Sequence, residues 1–191
     1  MRLNKLKIGD QQTFAKYLNL DEHELSVYAF ANIYIWRKFF DIRWALIEGS
    51  LCVFFEDKIG AFLYLAPLAA GKKAPVIAEV FKILKRLNKN PHFSHIENVE
   101  EKDLGFYKGL GLECALKSHD YLCLRTDLAG LKGDKFKSKR ASYNYFIKHY
   151  AFKYERLSLS HKPDCLGLYE LWAKQRRAQN PEHIYQAMLD D

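Results

Sequence analysis

Apolar positions recur along this chain in two rhythms, and the change from one to the other marks out its elements. Over residues 76–88, Ile77, Val80, Phe81, Leu84 and Leu87 return three and four apart, opposite Glu79, Lys82, Lys85 and Arg86. That spacing predicts an amphipathic helix. Residues 10–18 repeat the rhythm briefly, with Phe14, Tyr17 and Leu18 on one face. A turn-rich acidic stretch follows, holding Asp21, Glu22 and Glu24. Ser26 is placed to cap a second helix over about 27–36, crowded with Tyr28, Phe30, Tyr34 and Trp36.

The rhythm then shortens. Residues 42–47, 51–55 and 61–65 are rich in β-branched and aromatic side chains and are divided by turns containing Gly49 and Gly60. This predicts an antiparallel meander. Beyond the 76–88 helix, short apolar runs predict strands at 93–97, 114–116 and 121–124. A helix over 100–110 lies among them and is stopped by Gly111. From Lys135 to about Tyr150 the helical period returns, with Phe136, Tyr143, Phe146, Ile147 and Tyr150 as its apolar stripe. On the wheel Lys139 and Arg140 flank that stripe, so the sequence places them beside buried surface, while Lys137 and Lys148 face away. A strand at 152–157 and helices at 164–177 and 182–189 complete the pattern. The order is that of an α+β (mixed α/β) protein, a meander followed by a strand–helix–strand stretch.

Composition narrows this only a little. The 191 residues suffice for one sizeable core or two small ones, and 49% hydrophobic with 28% charged is ordinary for a globular protein. An aromatic content of 15% argues for packing and against disorder. No apolar run approaches the roughly 20 residues of a membrane span, and the N-terminus lacks the apolar segment of a secretory signal. A cytoplasmic protein is therefore expected. Cys52, Cys114, Cys123 and Cys165 form no CxxC pair and sit among apolar neighbours, which predicts reduced, buried thiols.

Charge changes the picture more. The formal net charge is +7. Between Lys132 and Lys148 the chain carries Lys132, Lys135, Lys137, Lys139, Arg140 and Lys148 against the single acid Asp134. A basic turn opening a helix suits phosphate, because backbone N–H groups and the helix N-terminus add to the cations. Lys132, Lys139 and Arg140 are the candidate phosphate-binding residues, and the bland alternative is a solvated helix face. Two further stretches qualify. The loop 69–75, with Gly71, Lys72 and Lys73, leads from a strand into a helix and has the logic of an anion cradle, though it lacks P-loop spacing. The N-terminal patch of Glu24, Ser26, Asn32 and Tyr34 sets a carboxylate beside aromatics. Asn32 and Tyr34 are its candidate substrate contacts, and core packing is the alternative. His92-x-x-His95 lacks a third ligand at useful spacing, so no metal site is expected. There is no nucleophile elbow and no GxGxxG fingerprint.

Two strings carry a resemblance. Tyr28-Ala-Phe-Ala-Asn32-Ile-Tyr34-Ile-Trp36-Arg37, together with Asp120-Tyr121, the run from Asp127 to Lys135, and Lys139-Arg140, resembles the DUF2156 family. That family is related to the phosphatidylglycerol lysyltransferase C-terminal domain and is similar to two fused GNAT-like acyltransferase domains. The resemblance implies a GNAT-like domain over 1–130. Residues 131–191 would then hold an inter-domain basic helix and an incomplete second domain of the same kind. It implies transfer of an acyl or aminoacyl group from acyl-CoA or aminoacyl-tRNA, both phosphate-bearing, to an amine or hydroxyl. No cofactor beyond such a donor is implied. The pyrophosphate loop usual in GNAT domains, Q/R-x-x-G-x-G/A, is absent from the basic segment, and no catalytic residue is assigned.

Three readings follow: a transferase, a non-catalytic module for RNA or anionic membrane, and an inactive fragment. In the last, exposed C-terminal helices carrying Leu166, Leu168, Leu171 and Trp172 would favour a homodimer.

Overall fold

The computed structural model describes residues 2–180 together with 182, 186 and 189. The chain divides into two compact units, Met1–Asp120 and Tyr121–Asp191. The class is α+β, as the sequence predicts.

The first unit is built on a four-stranded antiparallel sheet in the order β1 (Asn4–Lys5), β2 (Asp41–Ile47), β3 (Ser50–Glu56), β4 (Ala61–Leu63). The register pairs Ile42 with Phe55 and Phe54 with Leu63. β2 and β3 are joined through Glu48 and Gly49, at φ 49° and 78°. Positive φ at both central residues gives a two-residue turn the twist that suits a hairpin. The β3–β4 turn is closed by Asp57, whose Oδ1 accepts from the amides of Ile59 and Gly60 at 2.8 and 3.0 Å.

β3 is central and buried on both faces, and alternation sorts its side chains. Leu51, Val53 and Phe55 face a cluster with Phe14 of α1 (Gln11–Leu18) and Ile33 of α2 (Phe30–Tyr34). Cys52 and Phe54 face the other way, onto Val76, Val80, Ile83 and Leu84 of α3 (Ala74–Leu87). Asp10 secures the start of α1 by accepting from the Lys7 amide at 2.8 Å and from the Trp44 indole of β2 at 3.1 Å.

Several expected elements come out differently. The helix expected over 27–36 begins only at Phe30 and tightens into a 3-10 turn at Ile35–Lys38. Ser26 does not cap it, because its amide and hydroxyl both donate to Asp120 Oδ2, at 3.0 and 3.1 Å. The strand expected at 93–97 shrinks to one parallel bridge between Leu63 and Ile96. A 3-10 turn at Pro91–Phe93 occupies its start, and Asn98 at φ 51° turns the chain at its end. Residues 114–116 and 121–124 form no strand, since no neighbouring strand is there to pair with. The helix over 100–110 becomes a 3-10 turn and then α4 (Leu104–Gly109).

The second unit consists of α5 (Arg125–Gly130), α6 (Lys137–His149) and α7 (Lys162–Gln179). The strand expected at 152–157 is absent. The expected helix over 182–189, with His183, falls largely outside the described residues. Among the described residues of this unit only Ala173 and Leu189 are buried hydrophobics. The predicted stripe of α6 is a helix face, but not a buried one: Tyr143, Phe146, Ile147 and Tyr150 are all exposed. Two of the four thiols also depart from expectation. Cys52 is buried, and burial pushes its thiol up to about 12, whereas Cys123 and Cys165 are exposed.

Candidate functional site

The basic segment is organised around a turn. α5 ends at Leu131, which sits at φ 47° with its amide bonded to the Asp127 carbonyl at 2.8 Å, and Gly133 follows at φ 84°. Arg140, on the first turns of α6, reaches back to this reversal. Its Nη1 donates to the Gly133 carbonyl at 2.6 Å and to the Leu131 carbonyl. One guanidinium thus ties the C-cap carbonyl of α5, Leu131, to the Gly133 carbonyl, which also accepts from the Phe136 amide at 3.3 Å. Lys135 is also engaged, 2.8 Å from Asp127 Oδ2 and 5.0 Å from the Phe136 ring centre. Lys132 and Lys139 are exposed and have no ion pair or hydrogen bond among the described residues. The segment therefore offers uncommitted ammonium groups, Lys132 and Lys139 among them, near a turn braced by Arg140. The reason the sequence offers for holding Lys139 and Arg140 in place, a buried stripe, does not apply. Arg140 is held instead by the turn.

The loop at 69–75 uses both of its cations internally. Lys72 pairs with Asp103 at 2.5 Å, and Lys73 Nζ donates to the Glu48 carbonyl at 2.6 Å. Asn32 and Tyr34 lie in the first unit, whereas Lys132, Lys139 and Arg140 lie in the second. The Asn32 amide donates to the Ser26 carbonyl at 2.5 Å. The Tyr34 ring stacks on Phe30 with centres 5.6 Å apart, and the Arg37 guanidinium lies 4.3 Å from its centre.

A constellation that sequence reasoning missed lies in the first unit. Glu100 is buried and accepts from the Glu24 amide at 2.7 Å, while its Oε2 lies 2.8 Å from His23 Nδ1. Lys102 closes the cluster, 3.4 Å from Glu100 Oε2 and 3.1 Å from Asp21 Oδ2. Burial alone would raise the Glu100 carboxyl. The His23 and Glu24 hydrogen bonds, with the charges of His23 and Lys102, outweigh it and hold the group below the usual carboxylate range. The His23 ring stacks on Tyr28, centres 3.9 Å apart and 10° from parallel. Burial, and then the Glu100 charge, pushes the Tyr28 phenol well up, so it stays neutral while donating to the Asn98 carbonyl at 2.9 Å. A cleft of about 330 Å³ adjoins this cluster, bordered by Tyr17, Asp21, His23, Tyr28, Asp103 and residues 66–72. Glu100 and His23 are 77 residues apart, and Glu100 sits in the acidic run Glu97 to Asp103, where no local pattern singles it out.

Among the described residues no three His, Cys, Asp or Glu side chains group to hold a metal ion. None of the helices is long and apolar enough to cross a membrane, again among the described residues.

Comparison with known proteins bears on the whole chain. A sequence model of the family described as "Phosphatidylglycerol lysyltransferase, C-terminal" matches residues 19–188. A crystal structure of a conserved protein of unknown function from Bacteroides thetaiotaomicron VPI-5482 superposes with a TM-score of 0.78 at 20% identity. The match covers 99% of this chain and 65% of that one, and it shows a shared fold. No curated protein matches.

Proposed function

The chain belongs to the phosphatidylglycerol lysyltransferase C-terminal family, and from that premise we propose that it serves acyl or aminoacyl transfer from a phosphate-bearing donor, acyl-CoA or aminoacyl-tRNA. The observation that carries the reading is the braced turn of the second unit, where Lys132 and Lys139 stand uncommitted beside Arg140. Two such cations next to a fixed turn suit donor phosphates. In the reaction, the acceptor nitrogen or oxygen bonds to the donor carbonyl carbon. The carbon–sulfur bond of a thioester, or the carbon–oxygen bond of a tRNA ester, breaks. The leaving thiol or hydroxyl takes the proton that the acceptor gives up. A GNAT-like fold would supply backbone N–H groups to position that carbonyl. Asn32, through its free side-chain oxygen, and Tyr34 are the proposed substrate contacts of the first unit. The chain spans 65% of the related structure's length, so this activity is proposed for the whole protein rather than for these residues alone. Exposed, unpaired Cys123 and Cys165 suit a reducing, cytoplasmic setting.

Isothermal titration with CoA and with aminoacyl-tRNA, at low and at physiological salt, tests the reading. Binding that weakens steeply with salt and is lost in Lys132→Glu/Lys139→Glu supports it. Absence of binding to both ligands at low salt sinks it. Equal binding of heparin, with no preference for either donor, would favour a general polyanion module instead. A second reading, self-association, is favoured by the exposed apolar side chains of α6 and α7. It predicts a concentration-dependent dimer in sedimentation experiments.

A further inference from the structure

We propose that residues 21–24 form a strap that closes one side of the cleft in the first unit, is latched there by Glu100 and Lys102, and opens locally while the core stays folded. The stretch between α1 and α2, residues 19–29, has neither helix nor strand. Packing fixes both of its ends. Phe14 of α1 and Ile33 of α2 are wholly buried, and Leu25, Val27 and Tyr28 belong to the same cluster. Residues 21–24 have no such anchor: Asp21, Glu22 and Glu24 are exposed and His23 is only partly buried. Outside the stretch itself, their hydrogen bonds and ion pairs among the described residues go to two side chains. Glu100 accepts from the Glu24 amide at 2.7 Å and lies 2.8 Å from His23 Nδ1. Lys102 pairs with Asp21 at 3.1 Å and donates to the Glu22 carbonyl. A neutral ring with its proton on Nδ1 and an imidazolium make the same bond to an ionised Glu100, so the latch holds in either charge state of His23.

The two anchors stand on a segment that is itself fixed. The His95 carbonyl and the Glu97 amide bond the backbone of Leu63 on β4, at 3.0 and 2.8 Å. The Asn98 side chain donates to the Tyr64 carbonyl at 2.8 Å, and Asp103 pairs with Lys72 at 2.5 Å. Motion between strap and anchors is thus motion of the strap. A surface segment held by polar contacts, with no buried apolar side chain of its own, lies at the low-stability end of a fold and opens without global unfolding. Its position matters because Asp21 and His23 form one border of the cleft of about 330 Å³, opposite residues 66–72 and Asp103. Release of the latch takes Asp21 and His23 off that border and widens the mouth. Closure narrows it again, which is how lids control entry to a site. The device lies within the first unit and needs nothing from the second.

Amide hydrogen exchange of the full chain at fixed neutral pH reads the latch. The relaxation that a soluble gadolinium chelate induces in the methyl groups of Leu68 and Ala69, which line the cleft, reads the opening. In the unaltered chain the Glu24 amide should be protected, and its exchange should be insensitive to low denaturant, unlike that of the Val53 and Phe55 amides of β3. Glu100→Ala should speed Glu24 exchange at least about tenfold, the loss of one hydrogen bond to a charged group. It should also raise the relaxation at Leu68 and Ala69 and leave that of the Val80 methyl groups of α3 unchanged. The proposal is overturned if the Glu24 amide is unprotected, or if its exchange rises with denaturant as steeply as that of Val53 and Phe55. It is overturned equally if Glu100→Ala leaves Leu68 and Ala69 as they were, or exposes Val80 along with them. Should Glu100→Ala fail to fold, Lys102→Ala removes the other, more exposed anchor. It should speed Glu24 exchange about threefold, and no change there would overturn the latch.

Discussion

The two units carry similar kinds of side chain and treat them in opposite ways. In the first, a sheet stands between α1 and α2 on one face and α3 on the other, and Phe14, Phe54 and Phe55 are almost wholly buried. In the second, Phe146 stacks on Tyr150 and meets Phe152 ring to ring while all three stay exposed, and Leu171 is 70% exposed. Hydrophobic residues form a core when a second layer covers them, and among the described residues of the second unit only Ala173 and Leu189 are covered in this way. The second unit therefore draws its local order from helix caps and turn contacts such as those of Arg140, and the first from packing.

The sharpest way to break this contrast is to truncate one ring in each unit. Phe54→Ala should cost about 3–5 kcal/mol by loss of transfer energy and creation of a cavity. Phe146→Ala, on an exposed face, should change stability within about 0.5 kcal/mol. Denaturant unfolding measures both, and comparable losses would show that the face of α6 is covered in solution. Next in size is Gly60→Ala. An added Cβ would lie 2.9 Å from both Asn88 Oδ1 and Phe93 Cβ. Phe93 Cβ is anchored to backbone and cannot swing aside, so a loss of about 1–3 kcal/mol is expected, and an unchanged melting temperature would refute the close packing there.

The smallest effect concerns acid. The folded state holds the Glu100 carboxyl below its ordinary range, so the unfolded chain binds that proton first as pH falls. The stability it contributes is present above the ordinary carboxyl value and is lost as pH drops through the depressed one. Melting of the first unit, followed on Trp44 from neutral into acid, should fall less steeply in Glu100→Gln than in the unaltered chain. Parallel acid limbs would exclude the linkage.

What could be read in advance follows from the range over which each feature is determined. α3 and the β2–β3 hairpin are legible because their patterns lie within a dozen residues: the 3.6 period from Ile77 to Leu87, and the alternation about Gly49. The strand expected at 93–97 is not, because its two apolar positions, Phe93 and Ile96, meet one bridge and a capped 3-10 turn. α6 shows both sides of the limit. Its helical period is visible, but whether its stripe is covered depends on residues elsewhere. Lys132, Lys139 and Arg140 are legible as a charge cluster, while the bracing role of Arg140 depends on Leu131 and Gly133 carbonyls that only the turn geometry brings within reach. His23 and Glu100 meet across 77 residues, and no local signal joins them.

Asn88 has a consequence beyond its own loop. Its side-chain oxygen accepts from the Ala61 amide at 2.6 Å and its nitrogen donates to the Ala61 carbonyl at 2.8 Å, as a neighbouring strand would. Residues 95–97 do the same for Leu63, with bonds of 3.0 and 2.8 Å. The outer border of β4 is thus occupied, and β1 at the opposite border is only two residues long. Sheets that offer a long open border recruit foreign strands and seed fibrils. This sheet gives them no template, so a preparation that clumps should remain free of cross-β fibre, with its contacts made between side chains rather than backbones.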